Sequence, residues 1–137
     1  MTNLRELAEY IRVNLHVPVK GNSNQLILTI TLNSGRTQTV LVSVKKAGDG
    51  QIIEVKSRCG LVKSAAMVRS SLSRNLNGPL GGVAMSKVDG HALLDCVQRL
   101  VVPPGVGVNI GELLNTISSI GVQADVIERK LGHADVF

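Results

Sequence analysis

The chain has 137 residues and a formal net charge of +5, with 44% hydrophobic residues. Tyr10 and Phe137 are the only aromatics, so the core must be built from Leu, Ile, Val, Met and Ala, and base-stacking platforms and aromatic cages are excluded. One domain spanning 1–137 is expected, long enough to bury roughly two-thirds of the unfolded chain's surface without metal or disulfide staples.

Asn3 to Leu15 places Leu4, Leu7, Ala8, Ile11 and Leu15 at helical spacing, and Asn3 with Glu6 has the form of a capping box. The spacing predicts an amphipathic helix ending near His16-Val17-Pro18. Leu26, Leu28, Ile30 and Leu32 then alternate with Gln25, Thr29 and Thr31, which predicts a half-buried first strand. Past the turn residues Asn33-Ser34-Gly35, Val40, Val42 and Val44 alternate with Thr39, Leu41 and Ser43 to give a second strand. Gly48-Asp49-Gly50 turns the chain into a third, Gln51 to Arg58. Connections this short join antiparallel neighbours, so the three form a meander.

Ser64 is a reasonable N-cap for a second helix with Ala65, Val68, Leu72 and Leu76 on one stripe, stopped by Asn77-Gly78-Pro79. Leu80 to Val88 and His91 to Val102 flank Asp89-Gly90, a pair that favours a type I′ hairpin. After Pro103-Pro104-Gly105, Asn109 and Glu112 repeat the capping-box pattern ahead of Ile110, Leu113, Leu114, Ile117, Ile120, Ala124, Ile127 and Leu131. That third helix is the longest, and Gly121 leaves open whether it is one helix or two. The expected fold is α+β, with an antiparallel five-stranded sheet and three helices in the order α-β-β-β-α-β-β-α.

Strand five is apolar on both faces, with Leu93, Val97 and Val101 on one and Leu94, Cys96, Leu100 and Val102 on the other. The chain's own helices cover one face; the other needs further packing or a second subunit. The region of strands four and five is therefore expected to contribute to a two-fold interface, with Leu72, Leu76, Val83, Met85, Leu93 and Val97 as its residues.

Catalytic constellations do not emerge. Gly105-Val106-Gly107-Val108-Asn109-Ile110-Gly111 sits between a strand and a helix, but it places its third Gly one position later than a dinucleotide loop and lacks a parallel βαβ unit. His16, His91 and His133 have no metal-ligand spacing, and the serines of Ser70-Ser71-Leu72-Ser73 fall on a helix rather than a nucleophile elbow. Asp125 with Arg129 makes an ordinary i,i+4 pair, whereas Glu128 meets only Gly132. Cys59 and Cys96 form no C-x-x-C motif and read as two small buried hydrophobes in a reducing compartment. No apolar run reaches the length of about 18 residues that a membrane span requires, and Arg5, Glu6 and Glu9 occupy the place of a signal sequence's apolar region. A soluble cytoplasmic protein is expected, with no cofactor and no metal.

Several stretches carry a resemblance to a known family. Ile52-Ile53-Glu54-Val55 with Gly60 and the following helix, the run from Ser73 through Asn77-Gly78-Pro79 to Met85, and Ala124 to Gly132 with Asp135 and Phe137 resemble the secretion-chaperone-like fold, and within it the YbjN-like bacterial proteins. The resemblance covers about half of the chain. It implies a homodimer which, in true type III secretion chaperones, wraps an extended effector segment along hydrophobic patches. It carries no catalytic residues. Those chaperones are typically acidic, whereas this chain is basic.

The leading expectation is a non-catalytic, dimeric protein-binding module, chaperone-like for a bacterial partner or effector. It would bind through Leu4, Leu7 and Ile11 on the first helix and Leu26, Leu28 and Ile30 on the first strand, unless these are core. The alternative is nucleic-acid or anion binding through 36–74, where Arg36, Lys45, Lys46, Lys56, Arg58, Lys63, Arg69 and Arg74 face only Asp49 and Glu54. The same block also fits a solvated strand face whose lysines discourage edge pairing.

Overall fold

The computed structural model describes residues 3–22, 24–61 and 82–130. Helix α1 (Leu4–Leu15) starts where its cap predicts: the Glu6 amide donates to Asn3 Oδ1 at 2.9 Å, and Asn3 Nδ2 donates to Glu6 Oε1 at 3.3 Å. It ends on His16 in the left-handed region, whose amide donates to the Arg12 carbonyl. Pro18 then prevents helical continuation. Leu7 and Ile11, one turn apart, are fully buried.

The next element was not expected. β1 (Val19–Gly21) is three residues long and pairs antiparallel with β2 (Gln25–Thr31), through a turn in which Asn22 Oδ1 accepts from the amides of Asn24 and Gln25. β3 (Thr37–Ala47) and β4 (Gly50–Leu61) complete the meander. β5 (Gly82–Val88) and β6 (His91–Val102) form the hairpin that Asp89-Gly90 predicts, with positive φ at both turn residues, 51° and 80°. β4 pairs with β6, giving one antiparallel sheet in the order β1-β2-β3-β4-β6-β5.

α2 (Ile110–Lys130) opens with the Glu112 amide donating to Asn109 Oδ1 at 3.0 Å and runs unbroken through Gly121. A Cβ on Gly121 would strike the end of the Ile30 side chain and lie 3.7 Å from Val40 Cγ2. The glycine is a close-contact point that lets the helix lie against β2 and β3. It does not divide the helix.

The described residues thus form an α+β fold with six antiparallel strands and two helices. The expected five-strand sheet lacks β1, which is too short to show a period-two pattern. The helix expected from Ser64, with Leu72 and Leu76, lies outside the described residues. Both helices pack on one side of the sheet, where Leu7, Ile11, Leu28, Val40, Val42, Ile53, Val55, Leu94, Leu113, Ile117 and Ile120 are fully buried in one cluster. Each large aliphatic side chain buried there contributes about 1.5–3 kcal/mol.

Candidate interaction surface

Alternation along each strand sorts the sheet into two faces. Even-numbered residues of β2 and β3 point to the helices, and the ladder continues that face through Ile53, Val55 and Ser57 of β4 and Cys96, Gln98, Leu100 and Val102 of β6. The opposite face carries neither α1 nor α2. The cross-strand rows on it run Ile27–Leu41–Lys56–Val97, Ser43–Glu54–Arg99 and Lys45–Ile52–Val101.

This second face changes character along its length. At the β5–β6 turn end, Leu93 and Asp95 are buried, and Asp95 accepts from Ser86 Oγ at 2.9 Å and sits 3.5 Å from Arg58 Nε. Ile27, Leu41, Ile52 and Val97 are half-buried. At the far end Val101 is 74% exposed. Beside it Arg99 Nε lies 3.0 Å and Lys45 Nζ 3.9 Å from the same Glu54 oxygen, with both cations largely in solvent above a nearly buried carboxylate.

The residues expected to bind a partner are elsewhere. Leu7, Ile11, Leu26, Leu28 and Ile30 are core, and Leu4 packs partly against it, because α1 spends its apolar stripe on the sheet. Of the expected dimer set, Val83 and Met85 point to the helix side, opposite Cys96 and Leu94, while Leu93 and Val97 point to the other side. One residue of parity separates them, so these four cannot form one patch. Met85 is the exposed member, at 55%.

The described members of the basic block divide between the two faces for the same reason. Lys45, Lys56 and Arg58 share the face opposite α1 and α2, while Lys46, next to Lys45, points the other way. Arg36, at the β2–β3 turn, donates from Nε to Asp125 Oδ1 at 2.6 Å and lies 3.8 Å from Glu128, fixing the turn to the last turns of α2. Lys63, Arg69 and Arg74 lie outside the described residues. Asp125 also pairs with Arg129 at 3.2 Å, as its spacing predicts, but Glu128 is fully buried and reached by Arg36 from the sheet. Sequence reasoning missed Arg99 on this face and the carboxylates Glu54 and Asp95 beneath its cations; their matching register across β4 and β6 is the signal that finds them.

The clefts among the described residues include two of some size. One of about 350 Å³ is lined by Glu6, Asp49, Gly50, Gln51 and the chain from Val102 to Gly107, so part of the glycine-rich loop faces two carboxylates. That charge disfavours a phosphate there. The other, about 280 Å³, lies between Leu15, Val17, Ile30, Leu32 and Val122 and is mainly apolar. Among the described residues, no group of three His, Cys, Asp or Glu side chains is placed to hold a metal ion, and no helix is long and apolar enough to cross a membrane. No protein-family model matches the chain, and no curated protein matches it.

Proposed function

We propose that the chain is a non-catalytic protein-binding module that works as a homodimer in the cytoplasm, with the open end of the sheet face opposite α1 and α2 as its contact surface. The observation that carries this reading is Val101. A valine 74% exposed beside half-buried Ile52, in a row that continues to Lys45, is an apolar surface framed by charge. A two-fold-related copy can bring the two valines together while Arg99 and Lys45 of each copy stay at the solvated rim. The local likeness to YbjN-like proteins supports the same reading, and with it a chaperone-like role toward a bacterial partner. Arg36 is tied to Asp125, and Lys45 shares Glu54 with Arg99, which weighs against anion binding as the main role.

Light scattering at micromolar concentration tests the proposal. The wild type is expected at twice the 14.5 kDa chain mass, and Val101→Lys is expected to be folded and monomeric, melting lower than the wild type only by the stability that dimerisation adds. A monomeric wild type, or a Val101→Lys variant that stays dimeric, removes this surface from the account.

A further inference from the structure

Cys59 on β4 and Cys96 on β6 stand 37 positions apart in sequence, yet their Sγ atoms are 3.5 Å apart in the interior. A bulge brings them together. Ser57 pairs with Cys96 and Arg58 with Asp95, after which the register slips and Gly60 takes the place opposite Leu94 that Cys59 would hold in an unbroken ladder. Cys59 is left as the extra residue, with its side chain turned into the core beside Cys96. A disulfide requires about 2.05 Å between sulfurs, so roughly 1.5 Å of closure is needed.

We propose that Cys59 and Cys96 are a dithiol that a small hydroperoxide converts to an intrachain disulfide, clamping β4 to β6, the fourth and fifth strands across the sheet. One sulfur attacks the peroxide, the O–O bond breaks, and the departing oxygen leaves as water with the thiol's proton. The sulfenic acid formed is then attacked by the other sulfur. Its S–O bond breaks, a second water leaves with the second thiol's proton, and the S–S bond forms. Two thiols and one hydrogen peroxide give one disulfide and two waters.

Burial sets the selectivity. Both residues are at most 1% exposed, and the hydrogen bond to Cys96 together with desolvation pushes the Cys59 thiol well up from its ordinary value. Enclosure keeps bulky disulfides and alkylating reagents out, whereas hydrogen peroxide reaches the pair through a small local opening in which a thiol is hydrated and can ionise. Arg58 and Asp95, each the residue before one of the cysteines, pair on the opposite face, so the clamp also fixes the closed end of that face.

The test is mass spectrometry of the folded protein after hydrogen peroxide, followed by denaturation and thiol alkylation. The expected product is monomeric in mass, about two mass units lighter, unlabelled at both cysteines, and restored by dithiothreitol. Its melting temperature should rise by about 10 °C over the reduced protein, from the chain entropy of a loop of this length. Cys59→Ser and Cys96→Ser should show neither the cross-link nor the dithiothreitol-sensitive shift. Full alkylation of both cysteines after oxidation, cross-links only between chains, or an intrachain disulfide with no thermal shift would overturn the proposal. The principal measurement uses the wild type, so it holds even where a serine variant fails to fold.

Discussion

The two faces of the sheet handle the same residue types in opposite ways. Under the end of α2, Arg36, Asp125 and Glu128 are drawn into the interior, with Glu128 fully buried and the Arg36 side chain 21% exposed. On the other face Arg99 and Lys45 share Glu54 but keep their charged ends in water, each 64% exposed. In the first case the charges have lost their hydration and depend on one another; in the second, water replaces whatever a mutation removes. Distance alone does not separate the two, since Arg99–Glu54 at 3.0 Å is shorter than Arg36–Glu128 at 3.8 Å. Burial does.

The comparison breaks most visibly at Arg36. Arg36→Met takes the guanidinium away from two buried carboxylates and is expected to cost about 3–5 kcal/mol in urea unfolding. A loss below about 1 kcal/mol would mean that the cluster is hydrated like its counterpart. Gly50→Ala comes next: its Cβ would stand 2.6 Å from the Val102 carbonyl oxygen, a backbone atom that cannot rotate away, and about 2 kcal/mol of destabilisation is expected. Unchanged stability would show that the end of β4 yields easily.

A smaller effect comes from the buried thiol. Cys59 is raised in the folded state above its ordinary value of 9.0, so the folded chain holds a proton that the unfolded chain releases above that pH. The contribution is complete below about pH 9 and declines as pH rises beyond it, by up to about 1.4 kcal/mol per pH unit. Denaturant midpoints between pH 8 and 10 under reducing conditions should show this decline, and Cys59→Ala should reduce it. Smallest of all, Arg99→Ala should change stability by no more than about 1 kcal/mol, as the same titration at neutral pH would show.

Much of the framework is legible because its signals are local. Asn3 with Glu6, Asn109 with Glu112, and Asp89-Gly90 each lie within a few residues of the contact they make, and the structure places each as its chemistry dictates. β1 escaped because Val19-Lys20-Gly21 is shorter than one readable period; Asn22, which makes the turn, was the only cue. The buried ion cluster escaped for a different reason. Helical spacing joins Asp125 to Arg129, but the contact that matters reaches 89 positions back to Arg36. The separation of Lys45 from Lys46 was within reach, since adjacent residues in a strand must point apart. The meeting of Cys59 and Cys96 was not, because it depends on a register slip that no pattern in the sequence announces.

The order of the strands bears on how fast the fold can form. β1 to β4 are joined in succession by short turns, and so are β5 and β6, so each group can zip with little loss of chain entropy. Only the β4–β6 ladder, which ends at Leu61 opposite Leu93, must close a loop of about thirty residues. That closure is the expected bottleneck. Substitutions along it, as at Ser57, should slow refolding, whereas changes in α1 should mainly hasten unfolding.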